Sequence, residues 1–536
     1  MSDQLLTERE ESLFAAEMAE TANLLIEPES FSRFVGALPR SVPAKAFLSL
    51  FYARSKSVLS EGHLLKALVS LGWQLAALLG AASDSWTNYC LKHLVAGLGP
   101  DEFKQFAEQA FLRLEALGHS DVTLEYLSHK AAQDYRSFIA SVNEKNEDQK
   151  TVLFVTSRTD FKPLREAIAL RSKSWRCHLV HLEPLPSTVK ALFEGSFDST
   201  LSLPFVPLLL QALLRQVRPD VIHVHCAMWH YHLGRIAIEN KGEAICACEF
   251  NDITSFYADR KVMSDYWSPD LIDRDWAMER YVCNKADLLI HQWNTGMEAV
   301  WQQTHGGNVP TIEMQPYPIE QWLKYASDRP SLHDGVLRVV WAGQIPGRIA
   351  CPPEVFDAYY LGEAIEKLLQ QGFMVDAFQN PMFTPNFADL NFEFYRNLSD
   401  QYGGRFGIRP GVSLDKLPGT IGTYDYGLCL FDIPFHRACT PPAKTKFMMT
   451  NKLSTYFEAG IPIILNWEYE SMADFVVENG LGIALRIDEL DHVMEHIKRF
   501  DRDAAVERIK RYNRDHSMQA EIGRLLSAYN DAIRAK

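Results

Sequence analysis

Apolar residues change their period once along the chain, near residue 150. Before it they recur at three and four, as in Phe47, Leu50 and Phe51 or Phe103, Phe106 and Ala110, which is the spacing of one helical face. The pattern predicts an all-α unit over residues 1–145. Segments 68–73 and 114–119 look alike but keep no fixed period, so a plain helical bundle is expected rather than a repeat array. The polar run 143–150 has nothing to give a core and marks a boundary. Beyond it, continuous apolar runs rich in β-branched residues alternate with helix-length segments: 151–156, 177–182, 220–225, 244–249 and 286–290, then 337–342, 373–377, 405–408, 426–430 and 461–465. Strands apolar on both sides and separated by helices predict parallel sheets covered on two faces. The reading is therefore α/β, with two tandem Rossmann-like domains over 150–325 and 335–500. Residues 328–335 join them, and helices over 501–536 close the fold. Open α/β sheets take ligands at the carboxyl ends of their strands, so two facing sheets predict a cleft.

Composition narrows the partners. The chain has 536 residues, 47% of them hydrophobic, enough to bury several cores. With 54 Lys+Arg against 68 Asp+Glu the net charge is −14, which excludes broad attachment to nucleic acid or an anionic membrane and confines an anionic ligand to a focused pocket. The 9 cysteines include no CxxC pair and mostly lie in apolar runs, as reduced thiols packed like small hydrophobes do. A reducing, cytoplasmic compartment and no structural zinc are expected. The acidic amino terminus lacks the layout of a signal peptide. Lys66 and Gln74 interrupt the apolar stretch 64–82, and Pro204 and Pro207 interrupt 201–214, so both are expected to be buried helices rather than membrane spans.

From about Thr151 onward, the order of elements resembles the GT-B-fold glycosyltransferases, bacterial enzymes whose two Rossmann-like domains transfer sugars from nucleotide donors. Residues 337–344 resemble the first strand and glycine turn of that family's second domain, and 406–418 the strand, glycine and helix start that precede the donor helix. Residues 425–430 are similar to the next strand, 451–464 to the donor helix with the strand after it, and 218–225 to a strand of the first domain. The resemblance implies a nucleotide-sugar substrate on the second domain, an acceptor on the first, and no metal or other cofactor. It implies base contacts from Ile408 to Gly411, and it places Thr455 where the family has a ribose-binding Glu, with Glu458 three residues later on another helical face. Asn251 and Asp252 stand where many relatives carry His-Asp. Glycan, lipid-linked and protein acceptors all fit such an enzyme. A binding or scaffold protein that has lost catalysis is one alternative, and a nucleotide-sugar epimerase is another. The helical unit could present a groove to a protein acceptor, cover an apolar face of the first sheet, or make an oligomer.

The residues themselves offer matching chemistry. Between Ile433 and Phe457 there is no Asp or Glu, but there are Arg437, Lys444, Lys446 and Lys452. A helix beginning at Thr450 or Asn451, capped by that side chain, would point its first N–H groups at a phosphate, with Lys452 adding a mobile charge. Lys444 and Lys446 are either further ligands or solvated. The turn at Gly343 permits close backbone approach, and Arg348 is a second phosphate candidate. Acceptor activation calls for a carboxylate or His at a strand end, and Asp160, His225 and Asp252 are the candidates. The group His223, His225, His230 and His232 has no carboxylate at clear ligand spacing, so no metal is expected. Asp273, Asp275, Asp501 and Asp503 are expected to be solvated charge.

Overall fold

The computed structural model describes residues 129–144, 149–157, 161–182, 185–203, 207–228, 230–256, 258–266, 269–293, 296–345, 361–381, 392–431 and 441–536. Most of the expected helical unit, including 64–82, lies outside the described residues. Its last helix, α1 (His129–Asn143), does not stand apart: Tyr135, Phe138 and Val142 are buried in the core of the first α/β domain. Asn143 also accepts from the Arg218 N–H and donates to the Gln216 carbonyl. Helix α1, which precedes the boundary expected at 145, thus packs as part of that domain.

Two parallel sheets follow. The first has seven strands in the order β3-β2-β1-β4-β5-β6-β7: β1 (Thr151–Thr156), β2 (Arg176–His181), β3 (Ser199–Ser202), β4 (Val221–Cys226), β5 (Ile245–Phe250), β6 (Leu288–His291) and β7 (Thr311–Glu313). The second has six, ordered β10-β9-β8-β11-β12-β13: β8 (Arg338–Ala342), β9 (Met374–Phe378), β10 (Phe406–Arg409), β11 (Tyr426–Cys429), β12 (Ile463–Asn466) and β13 (Gly482–Leu485). The inner strands β1, β4, β5, β11 and β12 are buried along their whole length, as continuous apolar runs require. The expected helix over 201–214 divides instead. Leu201 belongs to edge strand β3, and a helix begins at Pro207, where the fixed φ of proline suits a first turn.

Five more helices bear on the site: α2 (Phe161–Ser172), α3 (Pro269–Lys285), α4 (Pro442–Phe447), α5 (Lys452–Ala459) and α6 (Met518–Ala535). The chain crosses to the second domain after β7 and returns before α6, which buries Met518, Ile522, Leu525 and Tyr529 in the core of the first. The two crossings are tied together by the Met518 N–H on the Pro318 carbonyl at 2.7 Å and by the Ser517 hydroxyl on Glu320 at 2.6 Å. At the open side of the cleft, Thr188 donates to the Pro381 carbonyl at 3.0 Å. Among the described residues, no helix is long and apolar enough to cross a membrane.

Candidate functional site

In the second sheet the strand order reverses between β8 and β11, the kind of place where open parallel sheets bind ligands. The two strands pair only through Tyr426 with Val339 and Gly427 with Val340. Beyond that they part, and Tyr456 of α5 fills the gap. Its hydroxyl donates to the Leu428 carbonyl at 2.8 Å and accepts from the Ala342 N–H at 3.0 Å, with the Val340 carbonyl 3.2 Å away. Gly427 makes room for the ring, since a Cβ there would lie 2.5 Å from it. Tyr456 therefore locks the first turns of α5 against the strand ends.

One turn earlier on α5, Lys452 lies over those strand ends. Its Nζ is 4.5 Å from the centroid of the Trp341 ring and 5.6 Å from that of Phe431. Gly343, just after β8, has φ +152°, and a Cβ there would stand 2.9 Å from Lys452 Cε. Trp341 in turn donates its indole N–H to the Gln344 carbonyl at 3.3 Å and so holds the glycine turn. The lysine is half-buried, and desolvation pulls its pKa below the ordinary lysine value, with the nearby Cys429 acting weakly the other way. Among the described residues, no carboxylate pairs with it. Two aromatic faces attract a cation by about 0.5–2 kcal/mol each, less than a counter-charge supplies. The adjacent helix terminus is itself positive. What this arrangement lacks electrostatically is an anion.

The other expected donor residues divide. Asn451 does not cap the helix: its φ and ψ are already helical, its side chain makes no cap hydrogen bond, and its Oδ1 is buried without a partner. The nearby Thr450 hydroxyl accepts weakly from the Lys452 N–H at 3.4 Å. Ile408 lies on β10 opposite Ala377, and Gly411 lets its turn approach Pro381, whose Cα would be 2.6 Å from a Cβ there. Thr455 is half-buried on α5. Glu458 faces away from the site: it is fully buried, paired with Arg165 of α2, and accepts the Ile319 N–H at 2.7 Å, so no oxygen is left for a donor. Arg348 lies outside the described residues. Lys444 is buried in α4, whereas Lys446 is exposed, with its Nζ 5.5 Å from the Phe447 ring centroid. On the other face of α5, a cavity of about 290 Å³ runs between Tyr317, Thr450, Leu453, Phe457, Phe475 and Tyr512.

On the acceptor side, Asp252 follows β5 in a half-exposed loop, and its carbonyl accepts from the Tyr231 hydroxyl. Carboxylates of α3 hold the next residues: Asp275 accepts from the Thr254 hydroxyl, and Glu279 accepts from the Ser255 N–H at 3.2 Å and its hydroxyl at 2.6 Å. Asp275 is thus a buried clamp, against the expectation of solvated charge; Asp273 is exposed and paired with Arg260. Asp501 caps the helix that follows it by accepting the Ala504 N–H, and Asp503 is exposed. Asp160 lies outside the described residues. His225 is not presented to the cleft as a strand-end base. It is 5% exposed, and its Nε2 lies 3.4 Å from Glu249 inside a buried cluster.

Of that cluster the sequence showed only the histidines, not their partners. Lys162 of α2 is paired with Glu249, both 0% exposed; His223 lies between Glu249 and Glu166, and its Nδ1 is 2.7 Å from the Tyr529 hydroxyl. Burial alone would raise the Glu249 pKa, but Lys162, then His223 and His225, hold it well below the carboxylate range. Burial lowers that of His223. Glu166, His223 and Glu249 bring metal-ligand atom types within 4.8 Å of one another. The two carboxylates, however, flank opposite nitrogens of one imidazole, and Lys162 already balances Glu249, so the set does not fit one ion.

Residues 378–520, from the end of β9 to the start of α6, match the model of the glucosyltransferase 3-like C-terminal domain. No curated protein sequence matches the chain. Among solved structures, a sucrose-phosphate synthase from Thermosynechococcus elongatus is 9% identical, with 72% of this chain and all 100% of that one covered and a TM-score of 0.49. An O-GlcNAc transferase from Thermobaculum terrenum is 12% identical, covering 99% of this chain and 100% of its own, with a TM-score of 0.44. A chain described as a UDP-N-acetylglucosamine 2-epimerase from Listeria monocytogenes is 10% identical over 71% of this chain and 94% of its own, with a TM-score of 0.42.

Proposed function

We propose that this chain, a GT-B-fold glycosyltransferase with a glucosyltransferase 3-like C-terminal segment, holds the diphosphate of a nucleotide sugar at the amino end of α5 and transfers its sugar to an acceptor seated on the first domain. One observation carries the reading: Lys452, beside a glycine turn and a helix amino terminus, has aromatic neighbours and, among the described residues, no counter-charge. In the transfer, the acceptor hydroxyl oxygen bonds to the anomeric carbon as the bond from that carbon to phosphate oxygen breaks. Negative charge gathers on the departing nucleoside diphosphate. A preorganised ammonium and helix terminus stabilise that charge more than they stabilise the bound donor, which is what lowers the barrier. The nucleotide base lies toward Ile408 and Gly411, and Thr455 faces the ribose. Asp252, on the clamped loop after β5, takes the acceptor proton. A protein, glycan or lipid-linked acceptor fits this scheme.

The test is a thermal-shift panel of UDP, GDP, CDP and dTDP, followed by release of the bound diphosphate from its sugar conjugates. A nucleotide at one hundred times its dissociation constant adds about 2.7 kcal/mol of stability. Silence across the panel overturns the reading. Binding with sugar release only in the presence of an acceptor supports it; binding without any release points to a catalytically lost scaffold, and interconversion of free nucleotide sugars to an epimerase.

A further inference from the structure

Helix α2 carries two buried cations three residues apart, Lys162 and Arg165, and they serve different domains. Lys162 turns to Glu249 at the end of β5, within its own domain. Arg165 crosses to the other. Its guanidinium forks onto both oxygens of Glu458 on α5, with Nη2 to Oε2 at 3.0 Å, and also donates to the Tyr317 carbonyl at 3.1 Å. The plane lies 4.9 Å from the ring centroid of Trp322. Glu458 in turn accepts the Ile319 N–H at 2.7 Å, and its own carbonyl accepts the Lys324 N–H at 2.8 Å. One ion pair therefore joins the acceptor-side domain, the crossing segment and the donor helix. Arg165 is 2% exposed and Glu458 fully buried.

We infer that the Arg165–Glu458 pair is a hinge pin that fixes the register of α5 against the first domain, making Arg165 a positioning residue for the donor site although it touches no donor. The geometry is bidentate, which sets direction as well as distance. A buried pair of this kind gives little net stability over an apolar one, because desolvation offsets the attraction, so its effect is on orientation. The pin holds the far end of α5 while Tyr456 holds the middle, and the amino end with Lys452 is left in a defined place. The affinity consequence rests on the donor reading above; the hinge itself does not.

The experiment measures hydrogen exchange and nucleoside-diphosphate affinity on the full chain, using whichever of UDP, GDP, CDP and dTDP the wild type binds. It compares wild type, Arg165→Lys, and the double variant Arg165→Met with Glu458→Leu. Replacing both partners leaves no unpaired buried charge, so the double variant is expected to fold, with a thermal midpoint lowered only by the loss of an acceptor for the Ile319 N–H. Its amides over Lys452–Ala459 should exchange faster, and affinity should fall about tenfold, the size of coupling expected for one network. Arg165→Lys keeps the charge but loses the fork, and should recover part of both losses. Wild-type exchange over α5 in the double variant overturns the pin, whatever the nucleotide data show. Faster exchange with undiminished affinity overturns the positioning role. If no nucleotide binds wild type, exchange alone decides the pin and the donor reading falls separately. Should the double variant not fold, Arg165→Lys is read by the same two measurements, with wild-type values in both overturning the inference.

Discussion

Near the switch point of each sheet the protein buries a lysine, and the two are treated differently. Lys162 in the first domain is enclosed with Glu249, amid His223, His225 and Glu166, and its charge is answered from within the chain. Lys452 in the second domain is set against Trp341 and Phe431, with no carboxylate beside it among the described residues. Charge answered internally belongs to the architecture. Charge left to aromatic rings is what the proposed donor reading assigns to a ligand. The distinction also explains why His225, a strand-end histidine in the sequence, is enclosed beside Glu249, and why Glu458 on α5, paired with Arg165, has no oxygen left for a ligand.

Four measurements would break or sharpen this contrast. The largest effect is expected in the first domain: Glu249→Leu leaves Lys162 buried and unpaired and should cost about 3–5 kcal/mol in urea unfolding. A variant as stable as wild type would show that Lys162 is compensated some other way. Lys452→Met should do the reverse, leaving unfolding within about 0.5 kcal/mol of wild type while donor binding weakens by about 1.5–3 kcal/mol in calorimetry.

Acid and base should separate the domains too. Burial lowers the pKa of His223, and it lowers that of His178 to about 4, so below the ordinary histidine range the unfolded chain binds protons that the folded chain refuses. Stability must then fall as pH drops from 7 toward 4, because the unfolded state gains the extra protons. For Lys452 the pKa is also lowered, and between its folded value and the usual lysine range the unfolded chain again holds more protons. The ligand-free chain therefore gains stability as pH rises through that window, while affinity for a diphosphate declines as the ammonium loses its charge. Lys452→Met should remove both alkaline effects and leave the acid limb untouched; an unchanged alkaline limb would assign it to another group. The smallest effect is expected from Gly343→Ala, whose Cβ would press on Lys452 Cε from 2.9 Å; a few-fold loss of donor affinity is predicted by titration, without change in the acid limb.

Most of the strands that were legible in the sequence are buried along their length, though edge strand β10, buried only at Phe406, was legible too. β1, β4, β5, β8 and β11 announce themselves as apolar runs, whereas β3 is a polar edge strand and β7 a half-exposed run of three residues, with no continuous signal to read. β13 is short and begins at a glycine packed on Ile463. At the site, Lys452 and Gly343 were readable because an acid-free basic window and a glycine turn are local features. Trp341 read only as a strand residue. The partner of Glu458 lies 293 residues away, and a single sequence carries no sign of such a pairing. Asp275 misled for the same reason: its partner Thr254 is set by the packing of α3 on the loop after β5, so an apparently solvated acidic triplet hides a buried clamp.

The central claim is that the unanswered charge at the amino end of α5 is completed by the diphosphate of a sugar donor. Calorimetric titration of wild type and Lys452→Met with the nucleoside diphosphate that stabilises the wild type tests it most directly. The account predicts a single site in wild type and a dissociation constant at least about tenfold higher in the variant, with equal stability of the two free chains. Equal affinity in a folded variant would contradict it, and would mean that the lysine is held by its rings alone.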